Sequence, residues 1–370
     1  MRSLVFGSSL GSHQSYRPSV SASSLCTLAG SLALITAVVG CGGDAKKDGG
    51  AGTVALADSG SLVALTAPGA IDIPTTVAVR DGVAWVAESQ FDHYKPFGYD
   101  GLPGAFRLVG LPLAGGQAQT IPLPDQYFPE GITVTAAGRM FVGSVATGTI
   151  LTVAPNQEVA TEFIPAMTLH QSGVLGMTPS ADGGLLWVCN TDTANAHADI
   201  VGIGVSDGQI KATHHMPDSS VGAFCNDIAI SANGTLWATE SFGGRLFRIP
   251  SGELVSNSDA TEWLAAPSLS GPDGPTVGVF GVNGLALVSG KLLLVNSSLG
   301  TLLSIDPTLA APTPADLHTI ALTEKGGNVV LANPDGMTRV PGSDTQVLIV
   351  ENGLGLDNGK RVVRVDIDTQ

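Results

Sequence analysis

The chain has 370 residues, 44% of them hydrophobic and 13% charged, and carries a formal net charge of −15. So acidic a body offers no electrostatic footprint for nucleic acid or anionic lipid, and no nucleic-acid partner is expected. Zinc-type Cys/His spacing, a P-loop, a dinucleotide fingerprint and a serine-nucleophile motif are all missing, which removes several common cofactor and enzyme classes.

Residues 1–40 read as a targeting segment. Arg2 and Arg17 lie in a polar stretch, followed by an apolar run from Leu25 to Val39 and then Val38-Val39-Gly40-Cys41. The run is too short for a comfortable membrane span and leads into a Gly/Lys/Asp stretch, so removal is expected rather than retention. The pattern resembles a bacterial lipoprotein signal, in which Cys41 becomes the acylated N-terminus; an ordinary signal peptide with an incidental Cys is the alternative. Gly42 after the Cys, by the same resemblance, favours the outer membrane. Residues 41–52 would then form a flexible tether, with 53–370 as the folded body. Removing residues 1–40 takes away two Arg and no acid, so the charge moves from −15 to −17. The expected membrane contact is through the lipid alone, and the body is expected to be monomeric.

From residue 53 onward the chain repeats. Six strand starts can be aligned at Thr75, Glu130, Leu175, Asn226, Asn283 and Asp335. Most are followed by a Gly-containing turn and a second strand of one type, such as Gly82-Val-Ala-Trp-Val-Ala, Gly184-Leu-Leu-Trp-Val-Cys and Gly234-Thr-Leu-Trp-Ala-Thr. A third strand follows, as in Arg245-Leu-Phe-Arg-Ile. Short β-rich runs punctuated by Gly, Asn, Asp and Pro indicate strands, and a period near 50 residues indicates propeller blades. The expected fold is therefore all-β, a six-bladed β-propeller of four-stranded blades. The last unit stops after its third strand, Arg361-Val-Val-Arg-Val-Asp-Ile-Asp, so residues 53–66 are expected to supply the fourth and close the ring. A β-sandwich or a two-domain arrangement would leave the spacing to coincidence.

Four of the six starts carry a carboxylate or amide oxygen: Glu130, Asn226, Asn283 and Asp335, separated by 96, 57 and 52 residues. A repeat that aims one oxygen per unit at a common axis makes a hard-cation site from distant residues. The competing reading is turn chemistry at strand entries, since Asn-Gly and Asp-Gly are ordinary turn formers. Two loops break the regular spacing. Gln90 to Gly104 contains Phe91, His93, Tyr94, Phe97 and Tyr99, and Asn190 to Asp199 contains His197. They are read as lids or recognition elements, or else as surface decoration. His93 and His197 are the candidates for a proton shuttle, whereas His214, His215 and His318 fall on outer strands. Cys189 and Cys225 lie in adjacent units, either as a disulfide or as two packed thiols.

The order Glu-Gly, Asn-Asp, Asn-Gly, Pro-Asp-Gly-Met resembles the regucalcin/gluconolactonase (senescence marker protein) family of six-bladed propellers. Paraoxonases and diisopropyl fluorophosphatase share the Glu, Asn, Asn, Asp order more distantly. The resemblance covers about residues 125–370 and implies Glu130, Asn283 and Asp335 as metal ligands, with Asn226 a ligand or a contact to substrate or metal-bound water. It implies Asp227 and the position of Phe224 as substrate-facing, and His93, Tyr94 and His197 are added from the two loops. Three departures stand out. The usual last blade comes first, a Phe occupies position 224 where many members carry a sugar-binding Arg, and Ile228 follows the Asn-Asp pair where Gly is common. Two carboxylates and two amides suit Ca²⁺, with Mg²⁺, Mn²⁺ or Zn²⁺ as alternatives. The implied activity is metal-dependent hydrolysis of a small-molecule lactone or related ester, with Asp335 as general base and Asn226 beside it. A phosphotriesterase on the same site, or a non-catalytic surface propeller binding a ligand or protein, are the other readings.

Overall fold

A computed structural model describes residues 55–369, except 100, 170, 357 and 358. The targeting segment, Cys41 and the tether lie outside the described residues. The fold is all-β and propeller-like, with one nine-stranded sheet and four smaller sheets.

Six inner strands begin where the sequence places them: Pro74–Arg80, Pro129–Val134, Gly173–Pro179, Cys225–Ile230, Val282–Val288 and Pro334–Arg339. Each pairs antiparallel with a second strand: Val83–Glu88, Met140–Ser144, Leu185–Asp192, Leu236–Glu240, Lys291–Asn296 and Gln346–Glu351. In all six pairs the register shifts just after the strand start, so the site residue is bulged out of the ladder. The second strands are buried on both faces because sheets pack on either side, and their apolar runs are accordingly continuous rather than alternating. Trp85 and Trp187 are nearly inaccessible and sit opposite Gly110 and Gly202 of their third strands. A Cβ on either glycine would come within 2.9 and 2.8 Å of the indole, so the small residue is what lets the large one lie flat across the ladder.

The inner strands form a closed ring, fastened by contacts immediately after each site position. Thr75 Oγ1 donates to the Glu130 carbonyl at 2.9 Å. Gly131 lies against Leu175, Gly176 against Asn226 and Asp227, Gly284 against Asp335, and Gly336 against Thr75 and Thr76. The Asp227 carboxylate accepts the Leu285 N–H at 3.2 Å, completing the circuit. These glycines are not turn formers, since none of the four has a positive φ. They are small because the neighbouring backbone occupies the place of a Cβ.

The N-terminal strand Leu56–Ala64 pairs antiparallel with Arg361–Thr369, as the closure argument requires. It also pairs in parallel with His318–Glu324, through Ser59–Ala321, Gly60–Leu322 and Ser61–Thr323. That second pairing, which the sequence does not announce, fuses the last two repeats into the nine-stranded sheet. Cys189 and Cys225 form a disulfide with Cα atoms 5.3 Å apart, tying a second strand to the next inner strand directly before Asn226.

Candidate metal centre and substrate cavity

Glu130, Asn226, Asn283 and Asp335 are each at most 5% exposed and all line one cavity of about 530 Å³. Leu175, the equivalent residue of the third repeat, lines it as well, without an oxygen to offer.

Hydroxyls at the ends of the second strands set the geometry. Ser241 Oγ donates to the Val282 carbonyl at 2.7 Å, and Ser297 Oγ donates to the Pro334 carbonyl at 2.6 Å. With its proton committed, each hydroxyl oxygen can only accept, so it faces an amide NH₂: Asn226 Nδ2 at 3.0 Å and Asn283 Nδ2 at 3.0 Å. Both amides are thereby turned with Oδ1 away from the serine, and Asn283 Oδ1 is buried without a hydrogen-bond partner. Glu130 Oε2 is buried and unpartnered too. Orphaned acceptors are costly in an interior, and these two, one on a carboxylate and one on an amide, share a cavity with Asp335 and Asn226, a set that could hold a hard cation. Thr191 Oγ1 donates to the Cys225 carbonyl at 3.0 Å, and Ser89 Oγ bonds the Pro129 carbonyl, so the same tie precedes Asn226 and Glu130. In the last repeat the position is Asn352, whose Nδ2 donates directly to Asp335 Oδ2 at 2.8 Å. Sequence reasoning missed these residues. Their signal is a recurrent pair closing the second strands: Glu88-Ser89, Asn190-Thr191, Glu240-Ser241, Asn296-Ser297 and Glu351-Asn352.

Burial pushes the Asp335 carboxyl up to about 7, only partly offset by the Asn352 and Asn283 amides. Burial also raises Glu130 well above the carboxylate range, with the Asp335 and then the Asp227 charge adding to it. Without a cation the native protein therefore keeps the Asp335 proton up to about pH 7, while the unfolded chain releases it near 3.8. The native state binds more protons across that window, so this group removes stability as pH rises through it. A bound cation replaces the proton. If the site takes Ca²⁺, its stabilisation, read as a thermal shift at fixed concentration, is expected to be larger at pH 8 than at pH 5.5. A shift independent of pH would refute this account.

The remaining predicted site residues are distributed unevenly. Phe224 lines the cavity. Asp227 does not; it lines the opposite channel mouth, and it too is pushed up to about 7 by burial. From the first long loop Phe91, Pro96 and Tyr99 reach the cavity, whereas His93 and Tyr94 are not among its lining residues. Tyr94 packs on Phe128 with centroids 4.7 Å apart. His93 lies 3.8 Å from Asp92, in a small cluster with Asp72 whose carboxylates Lys360 Nζ bridges at 2.8 and 3.1 Å. The stretch Asn190 to Asp199 is mostly hairpin, with Asn190 paired to Asp199 and Asp192 to His197. Its tip, Thr193, Ala194 and Ala196, lines the cavity, while His197 points to Asp218 at 2.8 Å and is half exposed. The segment from Val277 to Phe280, which the sequence reading passed over, forms another part of the wall.

The fold and this donor set together define a propeller-like protein with an acidic, amide-lined channel site. A family model, the strictosidine synthase-like N-terminal region, matches residues 116–153, which include Glu130. No curated protein matches the sequence. Among solved structures, the chain is similar to regucalcin, a calcium-binding protein from Agrobacterium tumefaciens, at 13% identity and TM-score 0.56, covering 85% of this chain and 97% of that one. It is similar to luciferin-regenerating enzyme at 11% identity and TM-score 0.58, covering 83% and 95%. A catalytically inactive virginiamycin B lyase from Staphylococcus aureus, with quinupristin, gives 16% identity, TM-score 0.54 and coverages of 83% and 99%. At such identities these likenesses establish the fold.

Proposed function

We propose that this chain is a propeller of six four-stranded blades in the regucalcin and strictosidine synthase-like group, acting as a divalent-cation-dependent hydrolase of lactones or related esters. The blade count takes the nine-stranded sheet as two blades sharing the strand Leu56–Ala64. The observation that carries the functional reading is the convergence of Glu130, Asn226, Asn283 and Asp335 on one cavity, with Glu130 Oε2 and Asn283 Oδ1 buried and unpartnered. The two carboxylates and the two amide Oδ1 atoms would hold the cation, and Ca²⁺ suits their hardness and charge. When bound, such an ion polarises a carbonyl as a Lewis acid. Asp335, oriented by Asn352, would take a proton from attacking water, and Glu130 would balance charge as a carboxylate once the cation is bound. Regucalcin's description as a calcium-binding protein supports the choice of ion.

A panel of lactones, aryl esters and phosphotriesters, assayed on the purified protein with Ca²⁺ and with chelator, tests this. Chelator-sensitive lactone or ester hydrolysis is expected. Turnover confined to phosphotriesters would move the reading to that class. Ca²⁺ binding by calorimetry without turnover of any substrate would leave a binding module.

The body is further proposed to be a monomer held at the bacterial envelope, outer membrane included, by acyl chains on Cys41. Replacing Cys41 with Ala is expected to leave the melting curve unchanged and release the protein from membranes, since the chains supply the affinity. Unaltered membrane fractionation of the variant would rule the anchor out.

A further inference from the structure

The cavity is two-sided. Its floor holds Glu130, Asn226, Asn283 and Asp335, Tyr99, Thr193, Ser298 and Asn333 add neutral polar groups to the lining, and Glu130 and Asp335 are the only charged groups among its described lining residues. One wall is aromatic: Phe224 and Phe242 lie 4.7 Å apart, Phe224 and Phe280 5.2 Å, and Phe242 and Phe280 5.4 Å between centroids. Phe91 faces the same space.

This wall is built, not incidental. The fully buried Glu240 carboxylate accepts the N–H of Phe224 at 3.2 Å and of Phe242 at 2.9 Å, and Arg245 Nε neutralises it at 2.9 Å. Phe280 is fastened through its carbonyl, which accepts the Ser298 N–H at 3.1 Å and the Ser298 hydroxyl at 2.6 Å. Three rings from three separate segments are thus fixed beside the acidic floor before anything binds, which lowers the cost of ordering on binding.

We infer, resting on the hydrolase reading above, that the substrate is a neutral lactone or ester carrying an apolar alkyl or aryl substituent, with the substituent against Phe224, Phe242 and Phe280. A substrate bearing a carboxylate or phosphate would find no Lys, Arg or His among the described lining residues, and a floor whose two negative charges are matched by the cation. A polyhydroxylated lactone would bury hydroxyls on a face that returns no hydrogen bonds. Hydrolysis joins the water oxygen to the carbonyl carbon, breaks the ring C–O bond and leaves the proton on the alkoxide oxygen.

The test uses five-membered lactones with unbranched side chains from methyl to hexyl, a sugar lactone, and 2-alkylcyclopentanones of the same chain lengths as uncleavable probes. kcat/KM is expected to rise about fourfold per CH₂ until the wall is covered, and calorimetric Kd values of the ketones to fall in step. Phe242→Ala and Phe280→Ala should each flatten both series, with Ca²⁺ affinity and melting temperature confirming that the fold is kept. Ketone binding that strengthens with chain length while no lactone is cleaved upholds the wall and overturns the hydrolase reading. Hydrolysis with no dependence on chain length, or a preference for the sugar lactone, overturns the wall assignment and leaves the hydrolase standing.

Discussion

On the proposed hydrolase reading, replacing Asp335 with Asn is expected to lower lactone hydrolysis by about 10²–10⁴-fold, while Ca²⁺ affinity should fall by far less. An amide oxygen can still face a cation but cannot take a proton. Asn283→Ala is expected to behave in the opposite way, since it deletes a buried acceptor and keeps the Asp335 carboxylate, losing only the amide contact to it. Ca²⁺ affinity and the Ca²⁺-induced rise in melting temperature should fall together. Calorimetry beside the lactone assay separates the two roles, and an unaltered rate in Asp335→Asn removes the general-base assignment.

Adding one methyl group at Gly131 is expected to cost roughly 3 kcal/mol or more and lower the melting temperature by roughly 5–10 °C. A Cβ there would lie 2.0 Å from the Leu175 carbonyl oxygen and 2.8 Å from its carbon, both backbone atoms that cannot swing aside. The only relief is to spread two inner strands, which also moves Glu130. Ca²⁺ affinity should therefore fall with stability. Gly252→Ala is the control, for nothing lies within 4 Å of that position and its φ is not positive. Its melting temperature should stay within the scatter of ordinary surface changes, about 0.5 kcal/mol. A Gly131→Ala protein as stable as the parent would mean that the inner ring is looser than its contacts indicate.

The repeat was legible because each inner strand starts on a similar hexapeptide, and the four oxygen-bearing starts do converge in one cavity. The glycines beside them were legible as letters but not as causes. Asn-Gly and Asp-Gly look like turns, whereas Gly284 and Gly336 are in strands pressed against a neighbouring backbone. Only the distance between strands shows that. The histidines failed for a related reason. His197 directly follows the cavity-lining Ala196, yet its ring turns to Asp218. The aromatic wall was invisible because Phe224, Phe242 and Phe280 come from three segments that meet only in the fold.

The double pairing of Leu56–Ala64 bears on how the protein is made. This strand is among the first of the body to leave the ribosome, and both of its partners are among the last. Until residues 361–369 emerge, the first strand lacks its antiparallel partner and can pair only with His318–Glu324. Closure of the ring therefore waits for residues 361–369, with the long loop closures that make such topologies slow to fold and prone to edge-to-edge association in the interval. Truncating the last strand would strip the first one of its antiparallel partner as well, so the two termini act as a single latch, and a chain cut short at its C-terminus presents an open, self-adhesive sheet rather than a slightly smaller protein.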